Sequence, residues 1–264
     1  MKKYKEIARI YIKSQLAWRA DVLFNMLFTV AKILFAWLLW GIIFRERNMV
    51  AGFTFHGMLS YYIVSSFLSQ LEMARGISGE VSARIRNGTF SNYMVMPVSI
   101  EWYFAAMEVG VVLFYLSFDL LAAAVWVFVF RIRFVFGRSP EILLCAAVMA
   151  VMGLFFMVQL NYFLGILTLK FEDIGTFLMI KDNLVSLVTG TIVPLVLFPE
   201  SVVRVMRLLP FYYVTYLPSM LFTGRCGEEA VRGLAVLGTW CILMQGMIAV
   251  TWRKYRKKYD GVGI

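Results

Sequence analysis

Six apolar stretches dominate this sequence, and their lengths restrict the folds that the chain can adopt. In chain order they occupy residues 22–44, 55–71, 102–130, 142–169, 184–197 and 231–252. A helix needs about 20 mainly apolar residues to cross the hydrocarbon core of a bilayer. Charged residues make up only 16% of the chain, whereas a soluble domain has roughly a quarter. The sequence therefore predicts an all-α polytopic membrane protein with six transmembrane helices in a single domain, residues 1–264.

The distribution of basic residues predicts the orientation of these helices. An even number of spans places both termini on one side, and that side carries most of the Lys and Arg residues outside the spans, including every such lysine. Cytoplasmic segments of membrane proteins are enriched in Lys and Arg, so we expect both termini in the cytoplasm. The net charge of +10 then reflects topology and contact with membrane lipid, and we expect no nucleic-acid partner.

Residues 1–21 have the pattern of an amphipathic helix. Tyr4, Ile7 and Tyr11 recur at helical spacing, and lysines and other polar residues occupy the opposite face. A helix of this kind lies in the membrane interface with its apolar face toward the acyl chains. We therefore predict an N-terminal interfacial helix, which either anchors the first span or takes part in coupling to a partner.

The segment between the second and third spans, residues 76–97, is predicted to be cytoplasmic. Residues 80–86 can form a short helix that ends at the turn signal Asn87-Gly88. A second short turn follows, and Pro97 precedes the third span. Short cytoplasmic helices suit docking onto a soluble partner, although a plain solvated loop is the alternative. The candidate contact residues are Ile85, Phe90 and Tyr93.

Proline interrupts the apolar sequence repeatedly between residues 194 and 224. Each proline removes a backbone hydrogen-bond donor, and non-helical backbone persists at membrane depth only where protein or a water-filled cavity shelters it. We therefore predict an extracellular re-entrant helical segment before the last span, with the arrangement of a gate. An external loop on the membrane surface is the alternative. The prolines are Pro194, Pro199, Pro210 and Pro218.

Three charged residues lie within predicted spans and away from the span ends, where a charge costs at least roughly 2.5–3.5 kcal/mol on insertion scales. Lys32 lies near the middle of the first span, and Glu108 and Asp119 lie in the third. A Lys32–Asp119 pair would hold the bundle together, whereas substrate contact or proton coupling is the functional alternative. Gln159 and Asn161 in the fourth span are predicted to form interhelical hydrogen bonds.

The sequence offers little for catalysis or cofactor binding. It has one histidine, three cysteines without a metal-like spacing, and no GxxxxGK[ST] phosphate-binding loop. We expect no enzyme activity, no metal and no cofactor in this chain. An ion-driven secondary transporter is the alternative to an ATP-driven one, but such carriers typically have paired broken helices in corresponding halves. Only one broken segment is visible in this sequence.

Three runs of sequence resemble the ABC-2 type permease subunits of bacterial ABC exporters. They are ARIRNGTFSNYMVMPVSIEWYF, FEDIGTFLMI and GTIVPLVLFPESVVRVMRLLPFYYVTYLP, and the resemblance extends in order over nearly the whole chain. It implies an interfacial N-terminal helix, six spans, a coupling helix between spans two and three, and a broken re-entrant segment before span six. All four features lie where the residues alone place them.

The resemblance also implies partners and a location. A separate ABC ATPase subunit, in two copies, would bind ATP and Mg²⁺. A second copy of this permease, or a related permease, would complete the transporter in the bacterial cytoplasmic (inner) membrane. The ATPase would contact the segment 76–97, and the coupling residues would be Glu80, Ile85, Arg86, Gly88, Phe90, Tyr93 and Pro97.

The same resemblance implies a path for an exported amphipathic or hydrophobic substrate along spans two and five. The candidate path residues are Tyr62, Ser66, Gln70, Thr189 and Thr191. The candidate residues of the extracellular gate are Pro194, Pro199, Pro210, Phe211, Tyr212 and Pro218. The tyrosines have an alternative role as part of an interfacial aromatic belt.

Overall fold

The computed structural model describes residues 2–17, 19–70, 74–129, 131–171, 173–189 and 195–259. These residues are mainly helical and contain no β-strand, so the predicted all-α fold is confirmed. The α-helices are α1 (Lys2–Gln15), α2 (Arg19–Ile43), α3 (Phe55–Ser69), α4 (Arg75–Arg86), α5 (Ser91–Met94), α6 (Ile100–Val129), α7 (Pro140–Ile166), α8 (Gly175–Val188), α9 (Glu200–Met206), α10 (Tyr216–Phe222) and α11 (Ala230–Tyr255).

Four helical stretches in the described residues are long and apolar enough to cross a membrane. They are Ala20–Ile43, Ile100–Phe128, Pro140–Leu169 and Gly227–Tyr255, and they correspond to α2, α6, α7 and α11. Each carries large apolar side chains that are exposed on the surface of the single chain. Extended exposed apolar surface is typical of protein that contacts lipid or another subunit, so the polytopic class is confirmed.

The other two predicted spans are shorter helices. α3 has 15 residues and α8 has 14, which corresponds to about 22 Å or less at 1.5 Å per residue, against a hydrocarbon core about 30 Å thick. The predicted start of the fifth span at residue 184 is wrong, because α8 already begins at Gly175 and ends at Val188. The count of six spans is therefore not confirmed.

α3 is enclosed by the rest of the bundle. Most of its residues between Gly57 and Leu68 are buried, and it packs against α2, α6 and α10. Thr54 caps its first turn, because Thr54 Oγ1 accepts a hydrogen bond from the backbone N–H of Gly57 at 3.3 Å. A helix surrounded by protein does not have to match the thickness of the bilayer, which explains why a helix this short is stable there.

α1 is the amphipathic helix that the sequence predicts, and a turn separates it from α2. It lies across α6 on the surface of the bundle, and none of its residues is buried. The two helices are close where Ala8 meets Gly110, since a Cβ on Gly110 would clash with the Ala8 carbonyl oxygen. The hydroxyls of Tyr11 and Tyr103 share a hydrogen bond of 2.8 Å. The position of α1 at the membrane interface stays a prediction.

α7 connects several parts of the bundle, because it packs against α4, α10 and α11. Glycines permit close contact on two of these sides. A Cβ on Gly165 would lie 2.7 Å from the Cβ of Val81 in α4, and a Cβ on Gly153 would lie 3.2 Å from the Cα of Val214, just before α10. Close packing of this kind couples the positions of neighbouring helices.

Candidate functional site

The segment predicted to dock a partner, residues 76–97, forms α4 and α5 beside the C-terminal part of α7. α4 ends at Arg86, as the turn signal predicts. Gly88 follows with φ of +70°, a left-handed backbone conformation that glycine adopts without steric cost. The chain therefore reverses at Gly88, and α5 folds back onto the same side of the bundle as α4.

Four of the predicted coupling residues are buried inside the chain. Ile85 and Phe90 have no exposed surface, and Tyr93 is 1% exposed; Gly88 is also buried. In the single chain Ile85, Phe90 and Tyr93 therefore offer no surface to a partner, and their direct contact with one stays a prediction. The packing of these side chains holds α4 and α5 against the rest of the bundle.

Tyr93 and Glu80 form the central polar contact of this segment. Tyr93 Oη donates a hydrogen bond to Glu80 Oε1 at 2.6 Å. Arg84 Nη2 lies 3.2 Å from the same carboxylate oxygen, and the Arg84 guanidinium lies over the Tyr93 ring at 4.7 Å. Burial raises the pKa of Tyr93 above its ordinary value, and the hydrogen bond to Glu80 adds to the shift. Tyr93 is therefore a protonated donor that joins α5 to α4.

The C-terminal end of the described chain also holds this segment. Tyr259 Oη donates a hydrogen bond to the Gly88 carbonyl oxygen at 2.5 Å and accepts one from the backbone N–H of Ser91 at 3.0 Å. The Phe90 ring packs against Trp252 and Tyr259, with centroid distances of 5.8 and 6.0 Å. The turn between α4 and α5 is thus fixed by residues more than 160 positions away.

The exposed large apolar side chains of the segment lie among its last residues. Val95 is 82% exposed, Met94 is 42% exposed, and Pro97 is exposed as well. We call residues 94–97 the docking edge. Of the predicted coupling residues, Arg86 and Pro97 are exposed and Glu80 is partly exposed. An exposed apolar edge on a firmly packed support is the kind of surface that binds another protein.

The predicted substrate-path residues are buried within the single chain. Tyr62 and Ser66 lie on α3, Gln70 follows its last residue, and Thr189 follows α8. Thr191 lies outside the described residues. A path between two copies of the chain therefore stays a prediction, and it requires α3 to become accessible in the assembled transporter.

A predicted path residue and a predicted intramembrane charge meet in one buried polar cluster. Gln70 Nε2 donates a hydrogen bond to Asp119 Oδ2 at 2.7 Å, and the Thr29 side chain forms a further hydrogen bond to Asp119. Lys32 is close enough to interact electrostatically with the same carboxyl group. The cluster joins α2, the end of α3, and α6, and the specific Lys32–Asp119 pair stays a prediction.

Glu108 lies apart from this cluster, in the first half of α6. Its side chain is only 3% exposed, and its Oε1 atom has no hydrogen-bond partner within the described residues. A buried carboxyl oxygen without a partner is costly.

A second polar cluster, at the contact of α4, α7 and α8, includes a residue that the sequence did not single out. Lys181 is 6% exposed; its Nζ donates to Asn161 Oδ1 at 3.0 Å and pairs with Asp182 Oδ1 at 2.8 Å. Ser78 Oγ of α4 lies 3.5 Å from the same Asn161 oxygen. The apolar residues before Lys181 and after Asn183 were the one sequence signal that Lys181 lies in a helix rather than in a loop.

The interhelical hydrogen bonds predicted for α7 are confirmed. Asn161 bonds to α8 through Lys181. Gln159 Nε2 donates to Gln245 Oε1 of α11 at 2.6 Å, and Gln245 Nε2 donates in turn to Glu101 Oε2 at the start of α6 at 2.9 Å. Polar groups of this kind hold helices together where water is absent.

The prolines of the predicted re-entrant segment lie at helix starts, where the missing N–H is tolerated. Pro199 directly precedes α9, Pro210 begins a 3-10 turn at Pro210–Tyr213, and Pro218 lies in the first turn of α10. Pro194 lies outside the described residues. The described part, 195–224, is therefore a series of short helices, in agreement with the predicted helical segment. Its re-entrant position in a membrane stays a prediction.

Aromatic side chains fill the centre of this segment. Phe211 and Tyr212 of the predicted gate are buried, together with Tyr213 and Tyr216. The Tyr212 and Tyr216 rings are 5.0 Å apart, and Phe211 packs on Phe156 of α7 at 6.2 Å. These rings are buried in the single chain, and their roles in a gate or in an interfacial aromatic belt stay predictions.

An ion pair fastens the same segment to the start of α11. Arg207 Nη2 lies 2.8 Å from Glu229 Oε1, and Tyr212 Oη donates a hydrogen bond to Glu229 Oε2 at 3.1 Å. Tyr213 Oη donates to the Arg207 carbonyl oxygen at 2.8 Å. We call Arg207, Tyr212 and Glu229 the segment clasp.

These features define a multi-pass α-helical membrane protein with an exposed docking edge on two short, firmly packed helices. A family model described as ABC-2 family transporter protein matches residues 30–263, which is most of the chain. The chain belongs to this family and is a membrane permease subunit of the ABC transporter class. Members of the family act in general with an ABC ATPase. No curated protein matches the sequence.

Proposed function

We propose that this chain is the permease subunit of an ATP-driven exporter in the bacterial cytoplasmic membrane, with both termini in the cytoplasm. Two permeases, either identical or related, would assemble with two copies of a separate ABC ATPase. The observation that carries the proposal is the exposed docking edge, 94–97, on a support formed by buried aromatic and polar contacts. ATP and Mg²⁺ would be bound by the partner subunit.

α7 is suited to transmit movement from the docking edge to residues 195–224, which we call the proline segment. At one end it contacts α4 through Gly165 and Val81, and Thr168, just beyond α7, donates a hydrogen bond to Ser82 of α4 at 2.9 Å. Further along, Gly153 contacts Val214, next to α10. Because close-packed interiors transmit displacement, a push on α4 by the ATPase would shift α7 and disturb the segment 195–224.

Apolar surface at membrane depth supports an amphipathic or hydrophobic cargo. A groove of about 540 Å³ lies between α1, α6 and α7 and includes Trp102, Leu113 and Phe155 in its lining. Lys5 is the charged residue that lines it. A molecule with an apolar body and a polar end could approach the transporter along such a surface from within the membrane, where it is already concentrated.

The proposal is tested by purifying the tagged chain from its native membrane and identifying bound proteins by mass spectrometry. We expect an ABC ATPase in a stoichiometric amount. Val95→Asp, in the docking edge, is expected to weaken its retention about tenfold or more, because a charge replaces an exposed apolar contact. Leu208→Asp is the matched control, since Leu208 is 70% exposed but lies in the proline segment.

Two results would contradict the proposal. One is a chain that purifies without any ATPase under conditions that preserve other complexes, together with ion-dependent transport, which would favour a secondary transporter. The other is an equal loss of the ATPase in both variants, which would separate the docking edge from ATPase binding.

A further inference from the structure

Two adjoining cavities form one crevice where α6 begins and α11 ends. Their volumes are about 520 Å³ and about 250 Å³, and both are lined by Ser99, Ile100 and Trp252. We call the combined space the basic crevice, after the charges in its larger part. Met94 and Met96 of the docking edge line its larger part, whereas the described residues of the predicted gate line neither part.

The larger part of the basic crevice combines positive charge with apolar surface. Arg256 and Lys257 line it, and both side chains are exposed. The other lining residues that they face are mainly apolar or aromatic, including Met96, Val98 and Tyr259. Two cations above an apolar lining match a ligand that has a negatively charged head and a hydrocarbon body.

The smaller part has the opposite polarity. Glu101 lines it beside Gln245, whose Nε2 atom donates a hydrogen bond to Glu101 Oε2 at 2.9 Å. Ile248 and Ala249 provide apolar surface there. A carboxylate disfavours a second negative group, so the anionic head of a ligand belongs with Arg256 and Lys257, and a neutral body belongs in the smaller part.

The position of the crevice along the helices agrees with a lipid ligand. Two of the stretches long enough to cross a membrane, Ile100–Phe128 and Gly227–Tyr255, begin and end at this level. Trp252 and Tyr259 line the crevice, and Trp and Tyr are enriched at the level of lipid headgroups. The exposed cations therefore lie where lipid phosphates lie.

We propose that the basic crevice binds one anionic phospholipid of the phosphatidylglycerol type. Its phosphate contacts Arg256 and Lys257, its glycerol backbone lies across Ser99, and an acyl chain packs on Ile100, Trp252 and Ile248. Because Tyr93, Met94 and Met96 line the same space, the bound lipid supports the docking edge from behind. Lipid binding is a property of the chain alone; its effect on coupling rests on the proposed function.

Native mass spectrometry of the purified chain in detergent tests the binding. Phosphatidylglycerol is expected to bind as one preferred copy, in excess over phosphatidylcholine of the same acyl composition. The double variant Arg256→Gln/Lys257→Gln is expected to bind it about 30-fold more weakly, since it loses two cations beside the phosphate. Arg253→Gln/Lys254→Gln is the matched control, because it removes the same charge from exposed positions outside the crevice lining.

A second variant tests the apolar part of the crevice without changing charge. Ser99 is exposed and lines both cavities, so Ser99→Trp fills the space that the lipid needs. We expect it to weaken phosphatidylglycerol binding as well. Amide hydrogen exchange at residues 93–100 is expected to slow when phosphatidylglycerol, but not phosphatidylcholine, is added to the wild-type chain.

Three results would overturn the proposal: equal binding of the two lipids, equal losses in the two double variants, or full binding by the Ser99→Trp variant. Equal losses would indicate a diffuse basic surface rather than a site. All of these measurements use the permease without an ATPase. They therefore stand or fall independently of whether an ATPase binds the docking edge.

Discussion

At the scale of single residues, the structure assigns roles that depend on burial. Tyr93 looks in the sequence like a docking contact, yet it is buried and bonds to Glu80. Lys181 looks like a loop cation, yet it is buried against Asn161. Their residue types were apparent from the sequence, but the direction of each side chain was not, because it depends on which helices pack around it.

Replacement of Tyr93 by Phe is expected to destabilise the α4–α5 support by about 1.5 kcal/mol, since a hydrogen bond to a charged group contributes about 1.5–3 kcal/mol and Glu80 is only partly buried. The thermal unfolding midpoint in detergent should fall. Tyr4→Phe is the control, because the Tyr4 hydroxyl has no hydrogen bond in the part of the chain that the structure describes. Equal midpoints for the two variants would contradict the assigned role.

At the scale of helices, contacts made by small residues determine how elements move together. α4 meets α7 at Gly165, and the proline segment meets α11 at the segment clasp. The sequence predicted the helical character of both regions from turn signals and prolines. It did not predict these contacts, because a glycine in an apolar helix does not indicate which neighbouring helix packs against it.

Gly165→Ala tests the contact between α4 and α7. The added Cβ would lie 2.7 Å from the Val81 Cβ, and overpacking of this kind costs about 1–3 kcal/mol. We expect a lower unfolding midpoint and weaker stimulation of the ATPase by substrate. Gly246→Ala is the control, since no heavy atom lies within 4 Å of a Cβ there. Adding Val81→Ala to Gly165→Ala should restore part of the loss; no recovery would place the strain elsewhere.

Arg207→Gln tests the segment clasp. The substitution removes the 2.8 Å pair with Glu229 and should loosen residues 200–216, so that amide exchange there becomes about fivefold faster, equivalent to about 1 kcal/mol after allowance for solvent screening. Arg204→Gln is the matched control, because the Arg204–Glu200 pair is 3.7 Å apart and exposed. Identical exchange in the two variants would show that the clasp contributes no local stability.

At the scale of the whole molecule, the described helices of spanning length are fewer than the spans that the sequence predicts. Four described stretches have spanning length, whereas six spans are predicted with α3 and α8 included. Both arrangements place the two termini on the same side. They differ in the side of the membrane on which the connection between α6 and α7 lies. This connection is extracellular with six spans and cytoplasmic with four.

Reporter fusions separate the two arrangements. With six spans, alkaline phosphatase fused after Arg138 should be active, and green fluorescent protein fused after Asn87 or at the C-terminus should be fluorescent. With four spans, alkaline phosphatase fused after Arg138 should be inactive, and green fluorescent protein fused after Asn87 should not be fluorescent. Since the proposed ATPase contact requires a cytoplasmic docking edge, the second result would also remove the basis for the coupling proposal.

The sequence by itself determined the class of this protein. Long apolar stretches, the Asn87-Gly88 turn and the repeated prolines act through local chemistry: hydropathy, backbone conformation and lost donors. These effects depend on neighbours along the chain, so they can be predicted without a fold, and the family assignment agrees with them.

Only the tertiary structure decided which side chains of the candidate site are buried and which are exposed. Tyr259 bonds to Gly88 across 171 positions of sequence, and Gln70 bonds to Asp119 across 49. Such contacts depend on which helix surfaces pack together, and many packings are compatible with the same apolar pattern. The support of the docking edge and the basic crevice both follow from this one packing, because each combines residues near position 90 with residues near position 255.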